Sequence, residues 1–240
     1  RSAYLIAEDQ RRREDMSIAL SGLVLVLLGR RRIEDASVLL DTMILLTDDE
    51  NDFNLMSTVY VFQGRIALLT GNPGEAIEQL TRAHNLLRDS TRVRVSYNWD
   101  EGMRNEFTSI ALQGLAEAHR VIGDLGSARQ ALREALHITQ RYAYPAHIVA
   151  VIISGARLLS SLGRSIESTA MLALVSDDPK SYAVERYRAT SLLARARTEL
   201  TEEQFMDAMS RGASMTPEDA VNELLRLLES ASGRRQNICR

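Results

Sequence analysis

The chain has 240 residues, of which 45% are hydrophobic, so it is long and apolar enough to bury a continuous core. Four prolines and 5% aromatic residues leave few signals for β-strands, and an all-helical fold is expected. The formal net charge of −3 excludes a general attraction to nucleic acids or to acidic membranes.

The first predicted helix contains an uncharged run, Ile18 to Leu28, that follows the basic triplet Arg11 to Arg13. This order is typical of a signal peptide, but Glu14 and Asp15 interrupt the positive segment, and the run is too short to span a bilayer. We interpret the run as a buried helix. The two basic triplets, of which the second is Arg30 to Arg32, suggest nucleic-acid binding, but their acidic neighbours favour a solvated helix face and a turn.

Four glycines recur along the chain in similar surroundings: Gly29, Gly71, Gly123 and Gly163. Small residues stand seven positions before them, at Gly22, Gly64, Ala116 and Ala156, and apolar or aromatic residues eleven before, at Ile18, Tyr60, Leu112 and Ile152. Five, nine and twelve residues after the last three glycines come Ala76, Leu80, Ala83, Ala128, Leu132, Ala135, Ser168, Leu172 and Val175. The first unit shows this triplet two residues late, as Ala36, Leu40 and Met43.

This spacing predicts a hairpin of two helices in each unit. Apolar residues at intervals of four, seven and eleven share one helix face, and a glycine after that face supplies the left-handed conformation that ends the helix. The small residues mark the place where the two helix axes cross closely. Because one hairpin cannot bury its own apolar faces, the hairpins are expected to stack into a solenoid.

Two adjacent stretches, Tyr60–Ala83 and Leu112–Ala135, resemble the tetratricopeptide repeat in the order of their small residue, turn glycine and following alanines. The resemblance implies an all-α, right-handed superhelical solenoid of about four hairpins. The glycine spacings of 42, 52 and 40 exceed the family's usual period of about 34 residues. With this longer period, the units resemble those in the C-terminal arms of bacterial signal-transduction ATPases and multidomain transcriptional regulators.

Helix signals continue beyond Asp177, where the repeat register is lost. Thr201 with Gln204 predicts a capping box, and Thr216 before Pro217 predicts the start of a last helix. The expected organisation is a repeat array over 1–177, with hairpins near 15–47, 53–89, 100–141 and 145–176, then capping helices over 178–231 and a polar tail over 232–240.

The segment from Leu172 to Leu225 resembles the ending of bacterial proteins that join a STAND-class NTPase, often with a LuxR-type DNA-binding domain, to a repeat arm. The matching positions are Leu200, Glu203, Phe205, Gly212, Glu218, Ala220 and Val221. The chain contains no GxxxxGK[ST] loop and no separate DNA-binding module. The chemistry and the DNA contact of those proteins are therefore not assigned to these residues.

No catalytic constellation is found, and we expect no enzyme activity, no cofactor and no metal. The histidines, His84, His119, His137 and His147, show no metal-ligand spacing with each other or with Cys239. No GxSxG or HExxH motif occurs. As the single cysteine, Cys239 cannot form a disulfide within the chain, which favours a reducing cytoplasm.

In the tetratricopeptide family the first helix of each hairpin lines a concave face that binds a partner. The resemblance places these residues on that face: Val61, Arg65, Leu68, Gln113, Glu117, Arg120, Ile153, Arg157 and Ser160. The expected binding residues are Arg65, Gln113, Glu117, Arg120 and Arg157. The three guanidiniums among them can pair with carboxylates of a peptide or with an anionic ligand. The alternative is that each arginine forms an ion pair with a Glu or Asp of the chain itself.

A second candidate element precedes the third hairpin, where Val93, Val95, Tyr97 and Trp99 alternate with polar residues. Such an extended segment can fold over the groove as a lid through Tyr97 and Trp99. The alternative, which we favour, is that its apolar side packs against the neighbouring hairpin.

The resemblance thus implies a cytoplasmic interaction or ligand-sensing arm of a larger bacterial signalling ATPase or transcriptional regulator. Its partner would be a protein, a peptide, an upstream domain of the same polypeptide or a small effector, with no direct nucleic-acid or membrane contact. The alternative is an oligomerisation scaffold without an effector site, whose N-terminal hairpin stacks on another copy. Direct nucleic-acid binding is a third, weaker hypothesis.

Overall fold

The computed structural model describes residues 13–46, 53–89, 101–142, 145–178 and 183–230. Within these ranges the chain forms eleven α-helices and no strand, which confirms the all-α expectation. They are α1 (Arg13–Gly29), α2 (Ile33–Leu46), α3 (Phe53–Leu69), α4 (Pro73–Asp89), α5 (Glu101–Val121), α6 (Leu125–Tyr142), α7 (Pro145–Ser161), α8 (Ser165–Asp177), α9 (Ala183–Glu199), α10 (Glu202–Ala213) and α11 (Pro217–Ser230). The chain divides into two compact units, Arg1–Ile122 and Gly123–Arg240.

The first unit contains α1 to α5, of which α1 to α4 pack as two helix hairpins and α5 packs on the second of them. Within the hairpins, α1 packs against α2, and α3 against α4. Between them, α3 contacts both α1 and α2, and α5 contacts both α3 and α4. Each new first helix therefore rests on both helices of the hairpin before it, which is how repeat proteins bury a continuous core.

The second unit contains α6 to α11, and α8 lies at its centre. Three helices, α7, α9 and α10, pack around α8, so that every residue from Ser168 to Val175 is buried. The last helix, α11, packs on α6 and α7. Its contact with α7 is close, because a Cβ atom at Gly155 would lie 2.7 Å from the Cδ atoms of Leu224.

One left-handed residue recurs at the turn between successive helices. It is Arg31 with φ 56°, Gly71 with φ 83°, Gly123 with φ 84° and Gly163 with φ 75°. Five, nine and twelve residues after each of them the side chain is at most 4% exposed: Ala36, Leu40, Met43, Ala76, Leu80, Ala83, Ala128, Leu132, Ala135, Ser168, Leu172 and Val175. The periodic register predicted from the sequence is thus confirmed as a pattern of burial.

Three of these turns close with the same backbone hydrogen bond. The amide of the residue after the left-handed one donates to a carbonyl five positions earlier, from Arg32 to Leu27 at 2.9 Å, from Asn72 to Ala67 at 2.8 Å and from Arg164 to Leu159 at 2.9 Å. This bond belongs to the Schellman motif, which satisfies the last carbonyls of a helix and needs a residue of positive φ. The turns are therefore equivalent in geometry although their sequences differ.

The prediction that Gly29 supplies the first left-handed turn is wrong, because Arg31 takes that conformation. Counted from Arg31, the late triplet of the first unit falls at the same intervals as in the other units. The same shift of two residues applies to the positions before the turn. Leu20 and Val24 are buried at the places that had been assigned to Ile18 and Gly22, and the latter two residues are exposed.

Replacing Arg31 by glycine is expected to raise the free energy of unfolding by about 0.5–1 kcal/mol. A left-handed backbone costs a residue with a Cβ atom about 1–2 kcal/mol, and the greater freedom of glycine in the unfolded chain offsets part of this gain. Urea denaturation followed by circular dichroism measures the change. The reverse substitution, Gly71→Ala, serves as the control and should destabilise, so equal effects of the two changes would contradict the assignment.

Side-chain caps begin the last two helices as the sequence predicts. The amide of Gln204 donates to Thr201 Oγ1 and the amide of Thr201 donates to Gln204 Oε1, both at 3.2 Å, which completes the capping box of α10. At α11 the amide of Asp219 donates to Thr216 Oγ1 at 3.1 Å, and the Thr216 hydroxyl donates to Asp219 Oδ2 at 2.6 Å. The hydrogen bonds from Thr216 hold the pKa of Asp219 below its ordinary value.

Candidate binding surface

The five predicted binding residues lie on α3, α5 and α7 and are all partly buried. Arg65 lies on α3, and Gln113, Glu117 and Arg120 lie on α5, so these four belong to the first unit. Arg157 lies on α7 in the second unit. The three residues of α5 are the ones that a single helix brings together.

Gln113, Glu117 and Arg120 follow each other at intervals of four and three, so they form one polar stripe along α5. Most other residues in the middle of this helix are buried, namely Phe107, Ser109, Ile110, Ala111, Leu112, Leu115, Ala116 and Ala118. Packing against α3 and α4 therefore determines which side of α5 the stripe occupies. We call these three residues the α5 stripe.

Within the α5 stripe, Arg120 and Glu117 form a two-point ion pair. Arg120 Nε donates to Glu117 Oε2 at 2.9 Å, and Arg120 Nη2 donates to Glu117 Oε1 at 2.7 Å. The two side chains are 21% and 19% exposed, so the pair is partly shielded from water. The hydrogen bonding of Arg120 to the Glu117 carboxylate raises the pKa of the guanidinium above its ordinary value, although partial burial lowers it. The ion pair expected under the alternative interpretation is thus present at Arg120.

Gln113, the third residue of the α5 stripe, forms a hydrogen bond with a buried residue of the same helix. Gln113 Nε2 donates to Ser109 Oγ at 3.2 Å, and Ser109 is buried. The amide of Gln113 is therefore held in one orientation, one helical turn before Glu117. Ser109 was not among the residues predicted from the sequence, although its spacing of four residues from Gln113 places the two side chains side by side on a helix.

Arg65 and Arg157 occupy equivalent places in the repeat register, because each lies six residues before its turn glycine. The corresponding residue on α5 is Glu117, so this place carries both signs of charge along the chain. The predicted binding residues at this place in the register are therefore of both signs of charge. Tyr97 and Trp99, the lid candidates, lie outside the described residues.

Other kinds of site are not found in the part of the chain that the structure describes. In these ranges no three His, Cys, Asp or Glu side chains are grouped so that they could hold a metal ion. None of the described helices combines the length and the apolar character needed to cross a bilayer. No protein-family model, curated protein or solved structure matches the chain.

Proposed function

We propose that the chain is a protein-interaction or ligand-sensing arm whose paired helices form a right-handed, tetratricopeptide-like solenoid. The observation that carries this proposal is the recurrence of four left-handed turn residues, each followed by the same three buried positions. Equivalent hairpins in contact are the building principle of repeat proteins, which bind partners on extended surfaces. The larger protein would be a bacterial signalling ATPase or transcriptional regulator, as the resemblance of the C-terminal segment implies.

The α5 stripe supports a peptide as the ligand. It offers an amide at Gln113, a carboxylate at Glu117 and a guanidinium at Arg120, in that order along one helix. A peptide carries complementary groups. Its main chain can form hydrogen bonds with a side-chain amide, and its charged side chains can pair with a carboxylate or a guanidinium. A ligand carboxylate would displace Glu117 from Arg120 or share the guanidinium with it, and such charge-assisted bonds are among the stronger ones in proteins.

The proposed consequence of binding is a change in how the arm restrains the rest of the protein. A ligand shifts a conformational equilibrium only when it binds one state more tightly than the other. Binding of the peptide along the first helices would favour one arrangement of the hairpins. The attached NTPase or DNA-binding portion would respond to that arrangement in the cytoplasm.

Charge reversal of the predicted surface tests this function. We expect Arg65→Glu and Arg157→Glu to weaken binding of a fluorescein-labelled, glutamate-rich peptide by about tenfold or more each, because a charge-assisted hydrogen bond contributes about 1.5–3 kcal/mol. Fluorescence anisotropy measures the affinity, and circular dichroism checks the fold. The control is Arg88→Glu, which changes the net charge equally at an exposed position on α4, a second helix.

The ion pair on α5 needs a different variant, because Arg120→Glu alone would place two carboxylates together. The exchange Glu117→Arg with Arg120→Glu keeps the pair but moves the guanidinium by nearly one helical turn. If this exchange and both single reversals leave the peptide affinity unchanged, or if the unaltered chain does not bind the peptide, recognition of acidic peptides by this surface is wrong.

A further inference from the structure

Arg120, the cationic residue of the α5 stripe, is already bound by a carboxylate of its own helix. Its Nε and Nη2 atoms donate to the two carboxylate oxygens of Glu117, at 2.9 Å and 2.7 Å. These two nitrogen atoms form one edge of the guanidinium, and such an edge matches a carboxylate in a two-point contact. A ligand carboxylate can therefore take this edge of Arg120 only after Glu117 has left it.

Partial burial makes this ion pair harder to open than an ordinary surface pair. The side chain of Arg120 is 21% exposed and that of Glu117 is 19% exposed. The pair of Arg32 with Asp35 has the same spacing of three residues, but its side chains are 57% and 49% exposed. Since water and salt screen a partly buried pair less, Glu117 competes for Arg120 more effectively than a fully solvated carboxylate would.

The repeat register shows that an acid at this place is an exception. Glu117 lies six residues before its left-handed turn residue. Six residues before the other three left-handed residues stand Leu25, Arg65 and Arg157, none of which is acidic. The helix hairpin therefore forms without a carboxylate at this place, which points to a role of Glu117 on the surface.

We infer that Glu117 is a built-in competitor of the ligand, which occupies Arg120 in the unbound chain and thereby lowers its affinity for acidic peptides. Because it assigns a role within the same surface, this inference rests on the proposed function. The free energy needed to separate Glu117 from Arg120 is subtracted from the free energy of binding. The displaced carboxylate of Glu117 also repels an incoming carboxylate, since the two carry the same charge.

Glu117→Gln tests the inference, because glutamine keeps the length and shape of the side chain and removes its charge. The affinity of the full chain for the fluorescein-labelled, glutamate-rich peptide should rise about two- to fivefold, which is the equilibrium ratio that a partly exposed ion pair contributes. Fluorescence anisotropy at 0.15 M ionic strength measures the affinity, and circular dichroism checks the fold. If Glu117 only supported the structure, its replacement would not tighten binding.

A double-mutant cycle separates competition for Arg120 from general repulsion of an acidic peptide. In the Arg120→Gln background Glu117 has no guanidinium to occupy, so Glu117→Gln should change the affinity less than about 1.5-fold there. Glu101→Gln is the matched control, since it removes the same charge from an exposed position near the start of α5. Sixteen residues separate it from Glu117, about 24 Å along a helix, which is well beyond the screening length of about 8 Å. It should also change the affinity less than about 1.5-fold.

The possible results distinguish this inference from the proposed function. If neither the unaltered chain nor Glu117→Gln binds the peptide, both are wrong. If the unaltered chain binds but Glu117→Gln binds equally or more weakly, Glu117 is not a competitor, whereas peptide binding by this surface stands. Equal gains in the presence and absence of Arg120 would assign the effect to general repulsion and would also overturn the inference.

Discussion

Replacing Leu80 by alanine is expected to lower the free energy of unfolding of the first unit by about 2–5 kcal/mol. Leu80 on α4 is fully buried and touches two other helices at once. Its side chain covers Gly64 on α3 and Gly114 on α5, at both of which a Cβ atom would collide with it. Truncation therefore removes contacts within one hairpin and between two hairpins. Urea denaturation followed by circular dichroism measures the loss.

Two comparisons make this result specific. Leu69→Ala, at a position 37% exposed on α3, is the matched control and should cost well under half as much. Gly64→Ala alone should destabilise, because its new methyl group meets Leu80, but it should cost little in the Leu80→Ala background. A coupling energy of about 0.5–3 kcal/mol is expected from this cycle. Additive effects would mean that Leu80 does not join these helices.

Gly212→Ala is expected to destabilise the second unit by about 1–3 kcal/mol or more. A Cβ atom there would collide with the carbonyl oxygen of Ala170 and would lie 2.6 Å from the Cβ atom of Ala173, both on α8. Neither neighbour can rotate away, since one is backbone and the other is a methyl group on a rigid helix. The helices α8 and α10 would have to move apart.

The sign of this effect is diagnostic, because alanine normally stabilises a helix relative to glycine by about 0.5–1 kcal/mol. Gly74→Ala, in the first turn of α4, is the control, since a Cβ atom there would meet nothing within 4 Å. It should be neutral or slightly stabilising. Thermal unfolding of both variants compares them, and a stabilised Gly212→Ala would show that α8 and α10 are not packed this closely.

Features set by short-range chemistry were predictable from the sequence. The helical class, the left-handed Gly71, Gly123 and Gly163, and the capping box at Thr201 all depend on residues within about one turn of each other. The left-handed Arg31 was not predictable, because arginine rarely adopts this conformation and a glycine stands two residues away.

Contacts between distant segments were also missed. Gly212 was noted only as part of a C-terminal motif, because its partner Ala170 lies on another helix more than forty residues away. The α5 stripe was predictable from helical register. Its internal pairing was not, because the same arginine can bind a ligand or Glu117, and only the positions of the side chains decide between the two.

The left-handed Arg31 has a practical consequence for engineering with these units. An alignment that superimposes glycines would splice the first hairpin two residues too early. Since each residue advances a helix by about 100°, such a graft would turn α2 by roughly 200° and direct Ala36, Leu40 and Met43 into water. Chimaeras of this chain should therefore be joined where the backbone torsion changes sign, whatever amino acid is found there.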